Sequence, residues 1–183
     1  MFTGVNKKLE RAAYCLDNLK AMAKDSGGFA HIKQGQAMRA NLDCFFFEVM
    51  SAKDFFLQAI NDGYANLPKD EATQIDKLKR CLRCLKHANV LKAVESIEKE
   101  LSNKTSWLWR LNNYRNSATH RELLHLAHEA STSVKGVKTY LFADPEDPSK
   151  GNADIEVIPY CEQSLARMRG FLEELYTKLT HTA

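Results

Sequence analysis

The spacing of apolar residues along the chain predicts a bundle of helices. Over most of the 183 positions apolar side chains recur every three to four residues, which places them on one face of an α-helix. The first stripe predicts a helix from Val5 to Lys24, and Asp25-Ser-Gly-Gly28 ends it. The second predicts a long helix from Gln34 to Asn61, ended by Asn61-Asp-Gly63.

Two further stripes follow a proline. Pro68-Lys-Asp70 opens a third helix, and Asn89 separates its stripe from the next one. Ser102-Asn103 then begins a short linker to another helix, expected over roughly Thr105 to Ala130. The two stripes consist of Ile75, Leu78, Leu82 and Leu85, then of Leu91, Val94, Ile97 and Leu101.

The pattern changes after residue 130. Val134 to Phe142 and Ile155 to Ile158 are short β-prone runs on either side of a stretch, residues 144–152, that is dense in turn formers. They predict a small hairpin or an extended flap, as an irregular insertion over about 131–159. Pro159 suits the first turn of a last helix. The expected fold class is therefore all-α: one helical domain over residues 1–183 with a single insertion.

Composition narrows the class of protein only slightly. The chain is 44% hydrophobic and 27% charged, as in an ordinary globular protein, and its net charge of +3 permits nucleic-acid binding without demanding it. No signal peptide and no run of membrane-spanning length is apparent. Because the five cysteines are an odd number without an export signal, we expect reduced thiols and a cytoplasmic protein.

The segment Arg115-Asn116-Ser117-Ala118-Thr119-His120 carries the chemistry that stands out most. It combines a fixed cation with the one side chain whose ordinary pKa lies near neutral pH. Cleavage of RNA needs proton transfers at the 2′-hydroxyl and the 5′-leaving oxygen, and positive charge near the transition state. Arg115 and His120 are thus candidate catalytic residues, and no metal or cofactor is required.

This run resembles the Arg-x(4–6)-His signature of the HEPN superfamily of all-helical ribonucleases, in which a small polar residue, often Asn, follows the arginine. The resemblance implies a HEPN-like bundle acting as a homodimeric endoribonuclease on RNA, in a toxin or defence setting with an antitoxin protein as a further partner. Arg115 would bind the scissile phosphate, His120 would transfer protons, and Asn116 would bind phosphate or orient the imidazole. Some HEPN toxins carry a modified Tyr two residues after the histidine, where this chain has Glu122.

The apolar face of the predicted motif helix changes phase near residues 119–122. A second stripe is rotated by roughly 140° from the first. Either the helix is broken there, or it is buried on two sides, once in the bundle and once against a partner. The first stripe is Trp107, Leu111, Tyr114 and Ala118, and the second is Leu123, Leu126, Ala127 and Ala130.

Helical geometry favours a site shared between two copies. On a regular helix Arg115 and His120 project about 140° apart, so one copy cannot easily aim both at one phosphate. Two copies related by a two-fold axis would surround it. A single large bundle core that takes up both stripes is the alternative.

Charged residues elsewhere are weaker candidates for substrate binding. Glu48 and Lys53, with Asp54, interrupt the most apolar helix, which places them either on a solvated face or in a site. Glu48 could orient Arg115 and Lys53 could contact phosphate. A basic run on the third helix could track an RNA backbone, although such runs are more often ordinary solvated faces. It includes Lys77, Lys79, Arg80, Arg83 and Lys86.

Two other clusters suggest metal binding at first sight. Cys81-Leu-Arg-Cys84 with His87 has zinc-like spacing but lacks a second pair of ligands, and His125 and His128 lack the glutamate of a zincin motif. No metal site is therefore expected. The alternative to a ribonuclease is a non-catalytic HEPN-like helical module that binds RNA, a nucleotide or a protein.

Overall fold

The computed structural model describes residues 2–25, 32–120, 126–130, 137–143 and 151–180. In these ranges the chain forms an all-α bundle with one small antiparallel sheet inserted before the last helix, as the sequence predicts. The helices are α1 (Thr3–Asp25), α2 (Ile32–Ile60), α3 (Ile75–Cys84), α4 (Ala88–Ser102), α5 (Trp107–His120) and α6 (Val157–Thr180). The strands are β1 (Leu126–Ala130), β2 (Val137–Ala143) and β3 (Gly151–Glu156).

The predicted end of the second helix is confirmed. After Ile60 the chain makes a π-helical turn, Asn61–Ala65, and reverses at Asn66, whose φ of 55° lies in the left-handed region that Asn tolerates. The buried Asn61 side chain holds this end of α2. Its amide nitrogen donates to the carbonyl of Leu67 at 3.0 Å, and its amide oxygen accepts the Leu67 N–H at 2.8 Å.

The helix that carries the motif begins at a serine cap. Ser106 is buried, and its hydroxyl oxygen accepts the backbone N–H of Leu108 at 3.1 Å, which satisfies one of the free donors of the first turn. α5 therefore starts within two residues of its predicted position at Thr105.

The far end of that helix differs from the prediction. α5 stops at His120 rather than Ala130, and Leu126–Ala130 is strand β1, paired antiparallel with β2 so that Leu126 lies opposite Leu141. The leucine and alanines of this segment favour helix locally, but the ladder with β2 overrides that preference. Because Leu126–Ala130 is a strand, the motif helix does not extend to Ala130, which agrees with the first of the two alternatives, a broken helix.

The insertion is a three-stranded sheet in the order β1-β2-β3, larger than the expected hairpin. Tyr140 of β2 lies opposite Glu156 of β3, and the register shifts between Leu141 and Ala143. Directly after β3 the chain enters α6, and Pro159 sits in the first turn of that helix as predicted.

Aromatic rings at the centre of the bundle join α2, α5 and α6. The Phe46 ring stacks on Tyr114 with centroids 5.4 Å apart, and Tyr160 meets Tyr114 edge-on at 5.6 Å. Phe46 and Tyr114 are fully buried. This cluster fixes the rotation of α5 and so determines where Arg115, the residue after Tyr114, emerges. None of the helices in the described residues is long and apolar enough to span a membrane.

Adjacent phenylalanines on α2 offer a matched test of this packing. Phe46→Ala removes a ring that is fully buried, so we expect a loss of about 3–5 kcal/mol in the free energy of unfolding. Phe47 is 44% exposed and contacts the Lys8 ammonium 5.4 Å from its ring centroid, so Phe47→Ala should cost about 1 kcal/mol or less. Urea unfolding at constant m-value measures both changes. Equal losses for the two variants would contradict the core described here.

Candidate functional site

The Arg115 side chain lies beside α2, and two oxygens of other side chains face it. One guanidinium nitrogen, Nη2, donates to Oδ1 of Asn112, one helical turn earlier, at 3.2 Å. The other, Nη1, lies 3.8 Å from Oδ2 of Asp54 on α2. The side chain remains 25% exposed. Arg115 is therefore oriented from two sides while part of the guanidinium stays open to solvent.

Asp54 also pairs with the preceding lysine. The Lys53 ammonium lies 2.5 Å from Oδ1 of Asp54, and its side chain is only 8% exposed. One carboxylate thus stands between two cations, Lys53 on Oδ1 and Arg115 on Oδ2. Two cations thus lie close together around this carboxylate, and guanidinium and ammonium groups are the side chains that bind phosphate.

The two pairs with Asp54 differ in strength. At 2.5 Å the Lys53 contact is within hydrogen-bond range, whereas 3.8 Å between Arg115 and Asp54 is beyond it. An ion pair of that length between partly exposed groups contributes on the order of 0–1 kcal/mol. Asp54 can therefore orient the guanidinium without preventing it from turning toward an incoming anion.

The rest of the motif follows Arg115 on the same helix. Asn116 is exposed, and His120 is the last residue of α5. The side chain of His120 lies outside the part of the chain that the structure describes. The structure thus brings Arg115, Asn112, Asp54 and Lys53 together and places Asn116 and His120 along the same helix.

Tyr160 is the titratable group packed against the residue that precedes Arg115. Burial raises the pKa of its hydroxyl well above the usual value, against smaller opposing effects from the positive charges of Arg110 and Arg167. This phenol stays protonated around neutral pH, so it cannot act as a base there.

Glu48 has a different place from the one expected. Its carboxylate lies 2.8 Å from the Lys8 ammonium and 3.8 Å from the guanidinium of Arg11, both on α1. This corrects the expectation that Glu48 orients Arg115, a position that Asp54 occupies. The reason is helical geometry, because residues six apart are rotated by about 120° and face different neighbours.

Glu48 and Lys53 also bound a stretch in which every residue is buried. Residues 48–53 are each at most 8% exposed, so α2 is enclosed on all sides over this turn and a half. The solvated-face interpretation is therefore wrong for both residues. A buried charge is costly unless it is paired, and each has such a partner, Lys8 for Glu48 and Asp54 for Lys53.

Two residues of the basic run, Lys79 and Arg83, pair with α4, and Lys77 pairs with Glu71 before α3. Lys79 lies 2.6 Å from Glu98, and Arg83 lies 3.1 Å from Glu95. These contacts join the two helices and reduce the charge that Lys79 and Arg83 can offer to a nucleic acid. Arg80 is exposed and makes no ion pair within the described residues.

The cysteine and histidine clusters do not assemble in the described residues. The Cys81 thiol donates to the carbonyl of Ala65 at 3.5 Å, and the His87 ring packs edge-on against Tyr64 at 5.5 Å. No group of three metal-ligating side chains occurs in the described part of the chain. His128 belongs to strand β1 rather than to a helix, and His125 lies outside the described residues.

A groove of about 740 Å³ lies between α4 and α6. Ala93 and Leu175 contribute its apolar surface, and among its described lining residues none comes from α2 or α5. It is thus separate from the cluster around Arg115. Its basic lining residues are Lys92, Lys99 and Lys178.

No protein-family model, no curated protein and no solved structure matches this chain.

The sequence alone does not predict two of the residues that contact Arg115, Asn112 and Asp54. Asn112 was not a candidate, although a position three residues before an arginine on a helix is a neighbour of it by spacing alone. Asp54 interrupts the same apolar helix as Glu48 and Lys53, but the sequence gives no reason to assign it a contact with Arg115. Only the packing of α2 against α5 decides which of the two carboxylates meets Arg115.

Proposed function

We propose that the protein is a metal-independent endoribonuclease whose reaction centre is built on α5. The observation that carries the proposal is the setting of Arg115. Asn112 and Asp54 hold its guanidinium in place, a buried ammonium shares the same carboxylate, and Asn116 and His120 follow on the same helix. The resemblance of this run to the HEPN signature supports the same assignment.

The reaction transfers two protons and needs one stabilised anion. A base removes the proton of the 2′-hydroxyl, the resulting oxygen attacks phosphorus, and an acid donates a proton to the departing 5′-oxygen. His120 serves as base or acid, and Arg115 stabilises the charge on the non-bridging oxygens. The products are a 2′,3′-cyclic phosphate and a free 5′-hydroxyl. Since the 2′-hydroxyl is the nucleophile, RNA and not DNA is the substrate.

Asp54 acts as a positioning residue in this scheme. In the free protein it holds Arg115 loosely at 3.8 Å, and a phosphate with its denser negative charge replaces it on Nη1. Lys53 stays paired on the other carboxylate oxygen, so Asp54 is not left as an isolated buried charge when the arginine turns away.

The proposal includes a homodimer with a composite site. α5 is helical through both motif positions, and residues 115 and 120 are rotated by about 140° from each other on it. A second copy related by a two-fold axis supplies a histidine to the phosphate that the first copy's arginine binds. Because Leu126, Ala127 and Ala130 of the second apolar stripe lie in strand β1, support for the dimer rests on this rotation and on the resemblance. An antitoxin partner and a toxin or defence role come with the resemblance alone, and a cytoplasmic location rests on the odd number of cysteines.

A second candidate function is a binding module without catalysis. The observation that favours it is the groove between α4 and α6, where Lys92 and Lys99 flank apolar surface. Such a groove suits an anionic ligand or a protein partner, independently of the motif on α5.

Substitutions in the motif should separate the two functions. Arg115→Ala and His120→Ala should each lower the rate of single-stranded RNA cleavage by about 10²–10⁴-fold while helical content stays unchanged. Arg115→Lys should fail as well, because an ammonium lacks the paired donors of a guanidinium. Asp54→Asn should lower the rate less, since Asn112 still orients the arginine, and should instead lower stability because the buried Lys53 loses its charged partner. Cleavage of a labelled RNA and circular dichroism provide the measurements.

Matched controls come from the same chain. Arg110→Ala removes an exposed arginine of α5, and His87→Ala removes a histidine outside the site, so both should cleave at the wild-type rate. If the wild-type chain binds RNA without cutting it, and His120→Ala leaves that binding unchanged, the ribonuclease assignment is wrong. If His120→Ala instead unfolds the protein, the motif is structural.

Cleavage should survive removal of metal ions. With Arg and His supplying the charge and the protons, an excess of EDTA should leave the rate unchanged, and elemental analysis should find no stoichiometric zinc. A rate that falls with EDTA and returns when Mg²⁺ or Zn²⁺ is added would overturn the assignment of the chemistry to Arg115 and His120.

The composite site makes a prediction that a single-chain site does not. The protein should run at about twice its 20.8 kDa mass in light scattering. Inactive Arg115→Ala and inactive His120→Ala, when mixed and allowed to exchange subunits, should recover part of the activity, because each mixed dimer pairs one intact arginine with one intact histidine. A monomer, or a mixture that stays as inactive as its components, would refute the shared site.

A further inference from the structure

A series of side-chain contacts runs along the interface between α1 and α2. Asn18 donates through Nδ2 to Oδ1 of Asn41 at 3.1 Å, and further toward the start of α1 Lys8 meets Glu48 at 2.8 Å. Near the same end a Cβ added to Gly4 would lie 2.6 Å from the Phe55 ring. Gly4 lies 14 residues before Asn18 on α1, and Phe55 lies 14 residues after Asn41 on α2. Cys15 and Cys44 keep the same register, each three residues from its asparagine, whereas the long Lys8 side chain reaches Glu48 from an offset position. The register of the two helices is therefore fixed between the asparagines and Gly4.

Cys15 and Cys44 lie across the same interface, between the asparagine pair and the ion pair. Their sulfur atoms are 2.7 Å apart, roughly 0.7 Å more than the 2.05 Å of a disulfide bond. Both cysteines are free thiols in this structure. Two side chains that already point at each other across a fixed interface need almost no movement of the helices to become bonded.

We propose that Cys15 and Cys44 are an oxidation site, a dithiol that closes reversibly into a disulfide joining α1 to α2 when the chain meets a low-molecular-weight disulfide such as oxidised glutathione. The proposal is independent of RNA cleavage, since neither cysteine belongs to the cluster around Arg115.

The two thiols have different roles in the reaction. Cys44 is exposed, whereas Cys15 is 4% exposed and so is shielded from a reagent in solution. Burial, with added effects from neighbouring Cys44 and Glu48, raises the pKa of Cys15 to about 12, so it is a thiol at neutral pH. Cys44 is therefore the sulfur that attacks first and Cys15 the one that resolves.

Atoms and electrons balance over two exchanges. The Cys44 sulfur bonds to one sulfur of oxidised glutathione, the S–S bond of the reagent breaks, and one glutathione leaves with the proton of Cys44. The Cys15 sulfur then bonds to Cys44, the mixed disulfide breaks, and the second glutathione leaves with the proton of Cys15. The two protein thiols are oxidised and one glutathione disulfide is reduced to two thiols.

The experiment uses the full chain, reduced and then exposed to oxidised glutathione. Thiols titrated in denaturant should fall from the five of the sequence to about three, and the intact mass should drop by about 2 Da. Peptide mapping without reductant should recover Cys15 joined to Cys44. The midpoint of thermal unfolding should rise by about 5–10 °C, because the bond closes a loop of some 30 residues, and dithiothreitol should reverse the change.

Single-cysteine variants decide which sulfurs take part. Cys44→Ser changes an exposed residue, so it should fold normally and form no internal disulfide, whereas Cys84→Ser, another exposed cysteine, should lose two thiols as the wild type does. The proposal is overturned if all five thiols persist, if Cys44 keeps a stable glutathione adduct that Cys15 does not displace, if the bond joins two chains, or if it involves Cys81 or Cys84.

Discussion

The enclosure of α2 on all sides between residues 48 and 53 is the constraint on which the rest of the structure depends. A helix in that position must bury apolar side chains in several directions, and it contacts α1, α5 and α6. It must also give every charge within the enclosed stretch a partner, because an unpaired buried charge costs several kcal/mol. Glu48 meets this requirement toward α1, and Lys53 meets it through Asp54 at the edge facing α5.

The same requirement brings two cations, Lys53 and Arg115, to one carboxylate. Asp54 neutralises the buried Lys53 first, at 2.5 Å, and only its second oxygen is left for Arg115. Because Asp54 is already paired with Lys53, it binds Arg115 only weakly. The guanidinium is thus oriented by Asp54 of α2 and by Asn112, a useful state for a group proposed to bind phosphate.

Periodicity predicts where each helix lies, because every helix carries a buried apolar stripe, and in α2 this stripe widens to the whole circumference over residues 48–53. The end of α2 at Asn61 and the position of Pro159 in the first turn of α6 followed from local turn and helix chemistry. Strand β1 did not follow, since Leu126 to Ala130 has a helical composition and becomes a strand only through its ladder with β2. That pairing joins residues 7 positions apart at Ala130 and Val137 and 15 apart at Leu126 and Leu141, which a local pattern does not register.

The candidate site shows the same division between local and long-range information. Arg115 and the motif residues that follow it on α5 can be identified from the sequence because the motif is contiguous. The acidic partner of Arg115 cannot be identified in this way. Glu48 and Asp54 are both carboxylates on α2, and they differ only in the direction in which their side chains leave the helix. The ring stack of Phe46 on Tyr114 sets the rotation of α5 against α2, and that rotation brings Arg115 to Asp54. A buried aromatic contact, with no chemistry of its own, therefore determines which acidic residue faces the arginine.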